Sequence, residues 1–381
     1  MMKTMNGRKS STFFQETRMM FMTKTNRSKK RSRSSSCSSC SCSSSEEIPT
    51  LVLPGKEFLE KILESRKRNE DMIAFYSSYI NAITTEPAAM VIMVDEHGFH
   101  RGHAVFDTCA VDVESGNAQD LSAHLERFQN SRIEAKIPLP IGWTIEDVEN
   151  RVRETIKVAR GVVHSSKEKQ GLSAIQCRFY LCAGTGGFSL SLKECTHGST
   201  FYCVCVKRSI EKTIMRSRGL YARTTPIAIK NKPFSTIKST NYLQNAMIQN
   251  DAEENDCDLG IWVKNDVVLE GPSANVAFVD DENQFIAPKI DDVLDGVTMR
   301  RCFDFIEKGL LLDLGISSAI RKDCSFKALI RENRAKEAMM VGSVIQCKSI
   351  EKWDGILIGN KEYVVAERLK NLLEMDARGE K

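Results

Sequence analysis

No apolar run in this chain approaches the ~20 residues that a membrane-spanning helix needs. The longest candidate, "AAMVIMV" (Ala88 to Val94), is strand-sized. Acidic residues are nearly absent from residues 1 to 45, where only Glu16 stands against many Lys and Arg. The formal net charge of +4 is therefore misleading as an average, because the rest of the chain is net acidic. The basicity belongs to a tail, and it gives the folded part no basic face for nucleic acid. A short cysteine framework is also missing. Cys177 and Cys182 lie in "CRFYLC", and Cys203 and Cys205 in "FYCVCVK". They read as apolar fillers of buried strands in a reducing compartment, not as a disulfide scaffold.

What is present is the composition of a globular protein. Hydrophobic residues make up 41% and charged residues 27%, enough apolar surface for a sizeable core. At 381 residues the chain is too long for one ordinary core, so one large or two medium domains are expected. Residues 1–45 are expected to be a basic, Ser-rich tail without a core. Three readings of it compete. The first is a cleavable organelle address, here a plastid transit peptide, with a cytoplasmic location as the alternative. The second is a nuclear or nucleic-acid patch in "KKRSR". The third is a zinc site from Cys37, Cys40 and Cys42, which lacks a second ligand pair at a useful spacing. The address reading leads, and no metal is expected.

An α/β (α+β) two-domain organisation follows from the patterns beyond residue 46. Residues 46–208 form the expected N-terminal domain, 209–218 a linker, and 219–381 the C-terminal domain. "GKEFLEKILESRKRNEDMIAFYSSYINAI" has helical spacing of Phe58, Ile62, Met72, Ile73 and Tyr76. "PAAMVIMVDEHGFHRGHAVFDTCAVD" reads as strands with a Gly-bearing turn. "LSAHLERFQNSRIEA" is an amphipathic helix with Leu121, Leu125 and Phe128 on one face. Thr144 is a candidate N-cap for "IEDVENRVRETIKVAR". In the second half, "LYARTTPIAI", "DLGIWVK", "VVLEGPSANVAFVDD" and "QFIAPK" read as strands. Residues 240–254, "GVTMRRCFDFIEKG" and the segment around "KALIRENRAKEAM" read as helices. Ligands favour the junction of two such domains.

Lys238, in "FSTIKSTNYLQN", lies where a β-like segment meets a helix, far from any charge run. On its own the pattern leaves a surface lysine and a chemical amine both open. Glu270 in "VVLEGPSANVAF" is either a solvated turn residue or a carboxylate facing a cleft. Gly296, Val297 and Thr298 open a helix with free N–H groups and a hydroxyl, which suits an anion. Gly342 and Ser343 in "MMVGSVIQ" read as an ordinary turn or a second phosphate-binding one. His124, Arg127 and Ser131 share one helical face, where the arginine is either solvated or a bidentate phosphate contact.

The order Arg, Lys, Glu, Gly-x-Thr, Gly-Ser resembles the class IV aminotransferases, the fold type IV pyridoxal-phosphate enzymes, from about Ile83 to Trp353. "HRGHAVFDT" looks like that family's N-terminal cleft motif, "HLERFQNS" its H-x-x-R-x-x-x-S helix, "KSTNYLQN" its lysine segment and "LEGPSANVAF" its glutamate segment. "AITTEPAAM" and "HRGHAVFDT" are particularly similar to the plant plastid D-amino-acid transaminase subgroup, which is also linked with aminodeoxychorismate lyase activity. The resemblance implies pyridoxal 5′-phosphate held as a Schiff base on Lys238, with Lys238 then moving the substrate proton. It implies Glu270 at the pyridine nitrogen, and Arg127, Val297, Thr298 and Ser343 at the phosphate. It further implies a homodimer acting on small amino acids and 2-oxo acids. Phe106 stands where bacterial D-amino-acid transaminases often have tyrosine, and the loop "AGTGGFSLS" lacks their Arg-x-His carboxylate trap. Arg101, His103 and His100 are the expected replacements. The expected activity is a transaminase for amino acids, D-amino acids leading. The alternatives are a 4-amino-4-deoxychorismate lyase and a branched-chain-type aminotransferase.

Overall fold

Alternation with a period of two builds the first sheet. The computed structural model describes residues 52–65, 71–165, 174–208, 219–360 and 362–380. The expected tail 1–45, with its three cysteines, and the expected linker 209–218 lie outside the described residues. All elements below belong to one compact unit, Leu53–Lys381. Five strands, β1 (Met72–Ser77), β2 (Ala82–Thr84), β3 (Ala104–Asp112), β4 (Ala174–Cys182) and β5 (Thr200–Arg208), pair antiparallel in the order β2-β1-β5-β4-β3. In β4, Ile175, Cys177, Phe179 and Leu181 point into the core and Gln176, Arg178 and Tyr180 point to the other face.

Helices cover only one face of that sheet. After α1 (Gly55–Ser65) and the short α2 (His97–His100) come α3 (Leu121–Glu134) and α4 (Ile145–Ser165). Leu121, Leu125 and Phe128 of α3 and Val148, Val152 and Ile156 of α4 pack on the inward residues of β3, β4 and β5. Each large side chain buried there, Phe128, Phe179 and Phe201 among them, contributes about 1.5–3 kcal/mol. Thr144 caps α4 as expected. Its hydroxyl and the Asp147 carboxylate bond each other's backbone N–H at 3.4 and 2.7 Å. The cysteines of β4 and β5 are buried and free, with Cys177 Sγ 3.5 Å from Cys203 Sγ.

The second sheet is mixed. Its path is β12 (Ala319–Arg321), β11 (Phe285–Ala287), β10 (Asn275–Asp280), β13 (Ala335–Gly342), β14 (Gln346–Trp353), β6 (Leu220–Thr224) and β7 (Leu259–Ile261), with β15 (Ile356–Leu357) beside β14. β8 (Val263–Lys264) and β9 (Val267–Val268) form a separate ribbon. β10 and β13 are covered on both faces, so they read as apolar runs without alternation. One cover consists of α6 (Val297–Glu307) and α7 (Val364–Arg378), through Met299, Phe305, Leu369 and Leu373. α5 (Leu243–Glu253) packs its Ile248 with Trp262 and Leu269.

Three expectations about local structure fail. The described part of the first helix is Gly55–Ser65, and Met72, Ile73 and Tyr76 lie on β1, because pairing with β5 offers that aromatic segment a buried place. "AAMVIMV" is no strand: Pro87 starts a 3₁₀ turn, no strand pairs with Val91–Val94, and Val94 is 71% exposed. "KALIRENRAKEAM" is a π-helical turn, Lys327–Arg331, and then β13. Asn333 takes a left-handed φ of 55° between them, and ladder pairing with β10 and β14 outweighs helix propensity beyond it.

Candidate active site

The lysine segment is held by the edge of the first sheet. Lys238 O accepts from Phe106 N at 2.9 Å, and Thr240 N donates to Ala104 O at 3.0 Å. Ser239 thereby pairs with Val105 of the edge strand β3. Ser131 Oγ of α3 accepts from Lys238 N at 3.2 Å. The side chain then passes over Phe106, with Nζ 4.8 Å from the ring centroid.

Lys238, Arg127, Glu270, Val297, Thr298 and Ser343 line one cavity of about 700 Å³, counting its open mouth. These residues come from both sheets, and the sequence separates Arg127 from Ser343 by most of the chain. A second volume of about 820 Å³, counted the same way, adjoins it through Arg127, Lys238, Tyr242, Ser273 and Ser343. Phe106, Thr108, Gln176, Arg178 and Tyr180 form its wall. These are the side chains that β3 and β4 turn away from the core. Phe106 stacks on Tyr180 at 5.5 Å and meets Tyr242 edge-on at 5.3 Å. Arg101 and His103 line neither volume. Arg101 bonds the carbonyls of His100 and Phe188, and His103 Nε2 lies 3.0 Å from Ala135 O.

Glu270 and Lys238 keep some accessible surface inside the cavity, but the enclosing protein strips their water. Burial pushes the Glu270 carboxyl up to about 8, although Leu294 N donates to it at 3.1 Å. No ion pair to Glu270 within 4 Å is found among the described residues. Burial, and after it the Arg127 charge, brings the Lys238 amine down to about 8. Burial also pushes the Tyr242 phenol above its usual range.

At the other end, Asp107 of β3 holds Arg127. Arg127 Nε and Nη2 donate to its two oxygens at 2.9 and 2.7 Å. His124 Nδ1 bonds Asp107 Oδ1 at 2.7 Å. Burial alone would raise the Asp107 carboxyl; the Arg127 and His124 charges outweigh it and hold it well below the carboxylate range. Arg127 Nη1 reaches Asp295 O at 3.0 Å, beside the N-terminus of α6. Thr298 Oγ1 and Ser343 Oγ lie 3.3 Å apart there. Gly296 has no room for a side chain, since a Cβ would sit 1.9 Å from Asn275 Oδ1.

This donor set fits an anionic aromatic cofactor. One end has a guanidinium, a helix N-terminus and two hydroxyls, the tools for a phosphate. The other end has a water-stripped carboxylate with no cation in contact, which a protonated ring nitrogen would complete. Between them lies an amine brought close to neutrality. Sequence reasoning missed Asp107, Gln176, Arg178, Tyr180, Tyr242 and Lys230, whose Nζ lies 4.7 Å from the Tyr242 ring centroid. The alternation of β4 was the available signal for Gln176, Arg178 and Tyr180. Among the described residues no group of three or more His, Cys, Asp or Glu is placed to hold a metal ion.

Comparisons with known proteins agree with this geometry. The family model described as "Amino-transferase class IV" matches residues 104–353. The chloroplastic D-amino-acid transaminase of Arabidopsis thaliana is 34% identical over 342 residues, spanning 88% of this chain and 84% of its own. A branched-chain amino acid aminotransferase structure from Escherichia coli superposes with a TM-score of 0.64 at 18% identity, covering 81% of this chain and 96% of that one. A hypothetical aminotransferase from Mycobacterium tuberculosis in its PLP-bound form gives 0.64 at 19% identity, covering 81% and 99%. The solved structures share the fold type IV architecture.

Proposed function

The chain belongs to the class IV aminotransferases, and on that premise we propose that it moves an amino group from a D-amino acid to a 2-oxo acid. The observation that carries the reading is one cavity lined by both Lys238 and Glu270, with a second, substrate-sized volume sharing Lys238. When bound, pyridoxal 5′-phosphate supplies an aldehyde that takes up amines and a ring that accepts electrons from the substrate α-carbon. Lys238 would provide the amine for the aldehyde and would then be placed to carry the proton from the α-carbon. It must be neutral to do either, and its lowered pKa, about 8, supports that role. Glu270 would stand at the ring nitrogen and accept the hydrogen bond of its N–H. Arg127, oriented by Asp107, would anchor the phosphate together with the N–H groups of Val297 and Thr298 and the hydroxyls of Thr298 and Ser343. Arg178 offers the substrate carboxylate a cation on the Phe106 side of the second volume, and its Nε has no hydrogen-bond partner among the described residues. The D preference draws its support from the Arabidopsis relative's printed activity.

A second reading has its own observation. The stacked Phe106 and Tyr180 rings, with Tyr242 edge-on, suit a cyclic substrate, as in a 4-amino-4-deoxychorismate lyase. Incubating the protein with D-alanine plus 2-oxoglutarate, and separately with aminodeoxychorismate, separates the two. Turnover of D-alanine is the expected result. Turnover of aminodeoxychorismate alone sinks the transaminase reading. Lys238→Ala should abolish the visible cofactor band and lower kcat by at least ~10³-fold; a variant that keeps both refutes the role of Lys238. The family resemblance supports a homodimer, checked by light scattering. The relative's location supports a plastid protein, checked by N-terminal sequencing of the mature chain.

A further inference from the structure

Four side chains form a continuous polar chain from the core to the anion end of the cavity. Asp107 Oδ1 lies 2.7 Å from His124 Nδ1, His124 Nε2 lies 3.5 Å from Ser343 Oγ, and Ser343 Oγ lies 3.3 Å from Thr298 Oγ1. Asp107, His124 and Thr298 are buried. Arg127 already anchors an anion in the reading above, so the question is what His124 adds.

Hydrogen-bond direction answers it. An ionised Asp107 can only accept, so His124 Nδ1 carries a hydrogen in every state. The state of Nε2 remains free. If Nε2 is a lone pair, it accepts the Ser343 hydroxyl, and Ser343 Oγ in turn accepts the Thr298 hydroxyl. Both hydroxyl hydrogens can then be spent inside the protein, and the two hydroxyls turn oxygen lone pairs to the cavity beside Arg127 and the helix N-terminus. Lone pairs repel an anion. If Nε2 carries a hydrogen, it donates to Ser343 Oγ. The Ser343 and Thr298 hydrogens are then free to point at an anion. Charge runs the same way. Asp107 and Arg127 cancel as a contact pair, so with a neutral His124 the relay carries no net charge toward a dianion. Asp120, at the start of α3, also lies within reach of the His124 charge, and is itself near Asp376 of α7 and Arg301 of α6. Those last two form an ion pair with each other.

We propose that His124 is a positioning residue whose protonation sets the direction of the Thr298–Ser343 hydroxyl chain, so that the cup takes up a phosphate dianion together with one proton at His124 Nε2. The proton comes from buffer, and no bond to carbon or phosphorus is made or broken. The inference rests on the reading that this end of the cavity holds a phosphate.

The test uses the full-length apoprotein and inorganic phosphate, which has neither an aldehyde for Lys238 nor a ring nitrogen for Glu270. Calorimetry at pH 8 in two buffers of different ionisation enthalpy counts the protons taken up. Wild type should take up about one proton per phosphate, and its affinity should fall as pH rises above 8. His124→Gln keeps an amide that can donate but cannot take up a proton, so uptake should vanish. Ser343→Ala disconnects His124 from the cup and should also lose the uptake; it serves if the histidine variant does not fold by circular dichroism. Phosphate binding without proton uptake in wild type, or with equal uptake in both variants, overturns this proposal alone. Failure of phosphate to bind, with cofactor retention untouched in Arg127→Ala, overturns the phosphate reading and the proposed function with it.

Discussion

In the proposed function Lys238 acts only when its amine is neutral, and its surroundings set the pH at which that happens. Burial and the Arg127 charge bring it from the usual lysine range to about 8. The neutral fraction therefore rises through pH 8 and saturates above it. The rate at which apoprotein captures pyridoxal 5′-phosphate, followed by absorbance, should rise about tenfold per pH unit up to about 8 and then level off. A profile still rising to pH 10 would mean an ordinary exposed lysine. Arg178 is the other residue whose environment speaks. Arg178→Ala should raise KM for the amino acid by ~10²-fold and leave the cofactor spectrum unchanged. Equal KM values in variant and wild type would remove it from the substrate side. Lys238 was legible in the sequence, because five motifs stood in register with a known family. Arg178 was not singled out, because a lone arginine in a strand carries no motif, only an alternation of faces.

Elements turn these residues into a site. α6 starts at the anion end because Gly296 lets the chain pass against Asn275, whose amide bonds Leu294 O at 2.9 Å and Glu270 Oε2 at 3.3 Å. A side chain at 296 would push on Asn275, which ties the proposed phosphate end to the Glu270 end. Gly296→Ala should therefore cost ~2 kcal/mol or more in folding stability and weaken cofactor retention at least tenfold, read by denaturant titration and dialysis. An unchanged midpoint and full retention would show that Asn275 yields freely. β3 has a comparable double duty. Its odd face buries Asp107 against α3, its even face gives Phe106 and Thr108 to the second volume, and its edge grips Ser239. A one-residue shift in its register would exchange the two faces and destroy both functions.

Across the whole molecule, the site costs stability. Glu270 has a folded pKa of about 8, raised by burial above the ordinary glutamate value. A raised carboxyl pKa contributes stability that is complete below the unfolded pKa and is lost as pH climbs to about 8. At pH 8 the loss is on the order of 2–4 kcal/mol. Glu270→Gln cannot ionise, so its apoprotein should melt higher than wild type, with the gap opening between pH 4.5 and 8. Its kcat should fall at least ~10²-fold, because a neutral amide would not stabilise a protonated ring nitrogen as a carboxylate does. Thermal melts across pH decide it: a variant melting no higher than wild type at pH 8 means that Glu270 already has a cationic partner.

The sequence by itself determined the family, the candidate lysine, the phosphate and ring-nitrogen candidates, the helices α3 and α4 and the buried strands around the cysteines. All of these rest on local pattern or on motif order, which survive without a three-dimensional frame. Only the tertiary structure decided the rest. It placed Met72–Ser77 and Ala335–Gly342 in strands where local spacing pointed to helices, because a long-range ladder partner outweighs a propensity of a few tenths of a kcal/mol. It left Arg101 and His103 out of the cavity, although they neighbour the cleft motif in sequence. It also brought Asp107, His124 and Ser343 into one hydrogen-bonded chain, because close contact between residues on separate elements is a property of packing.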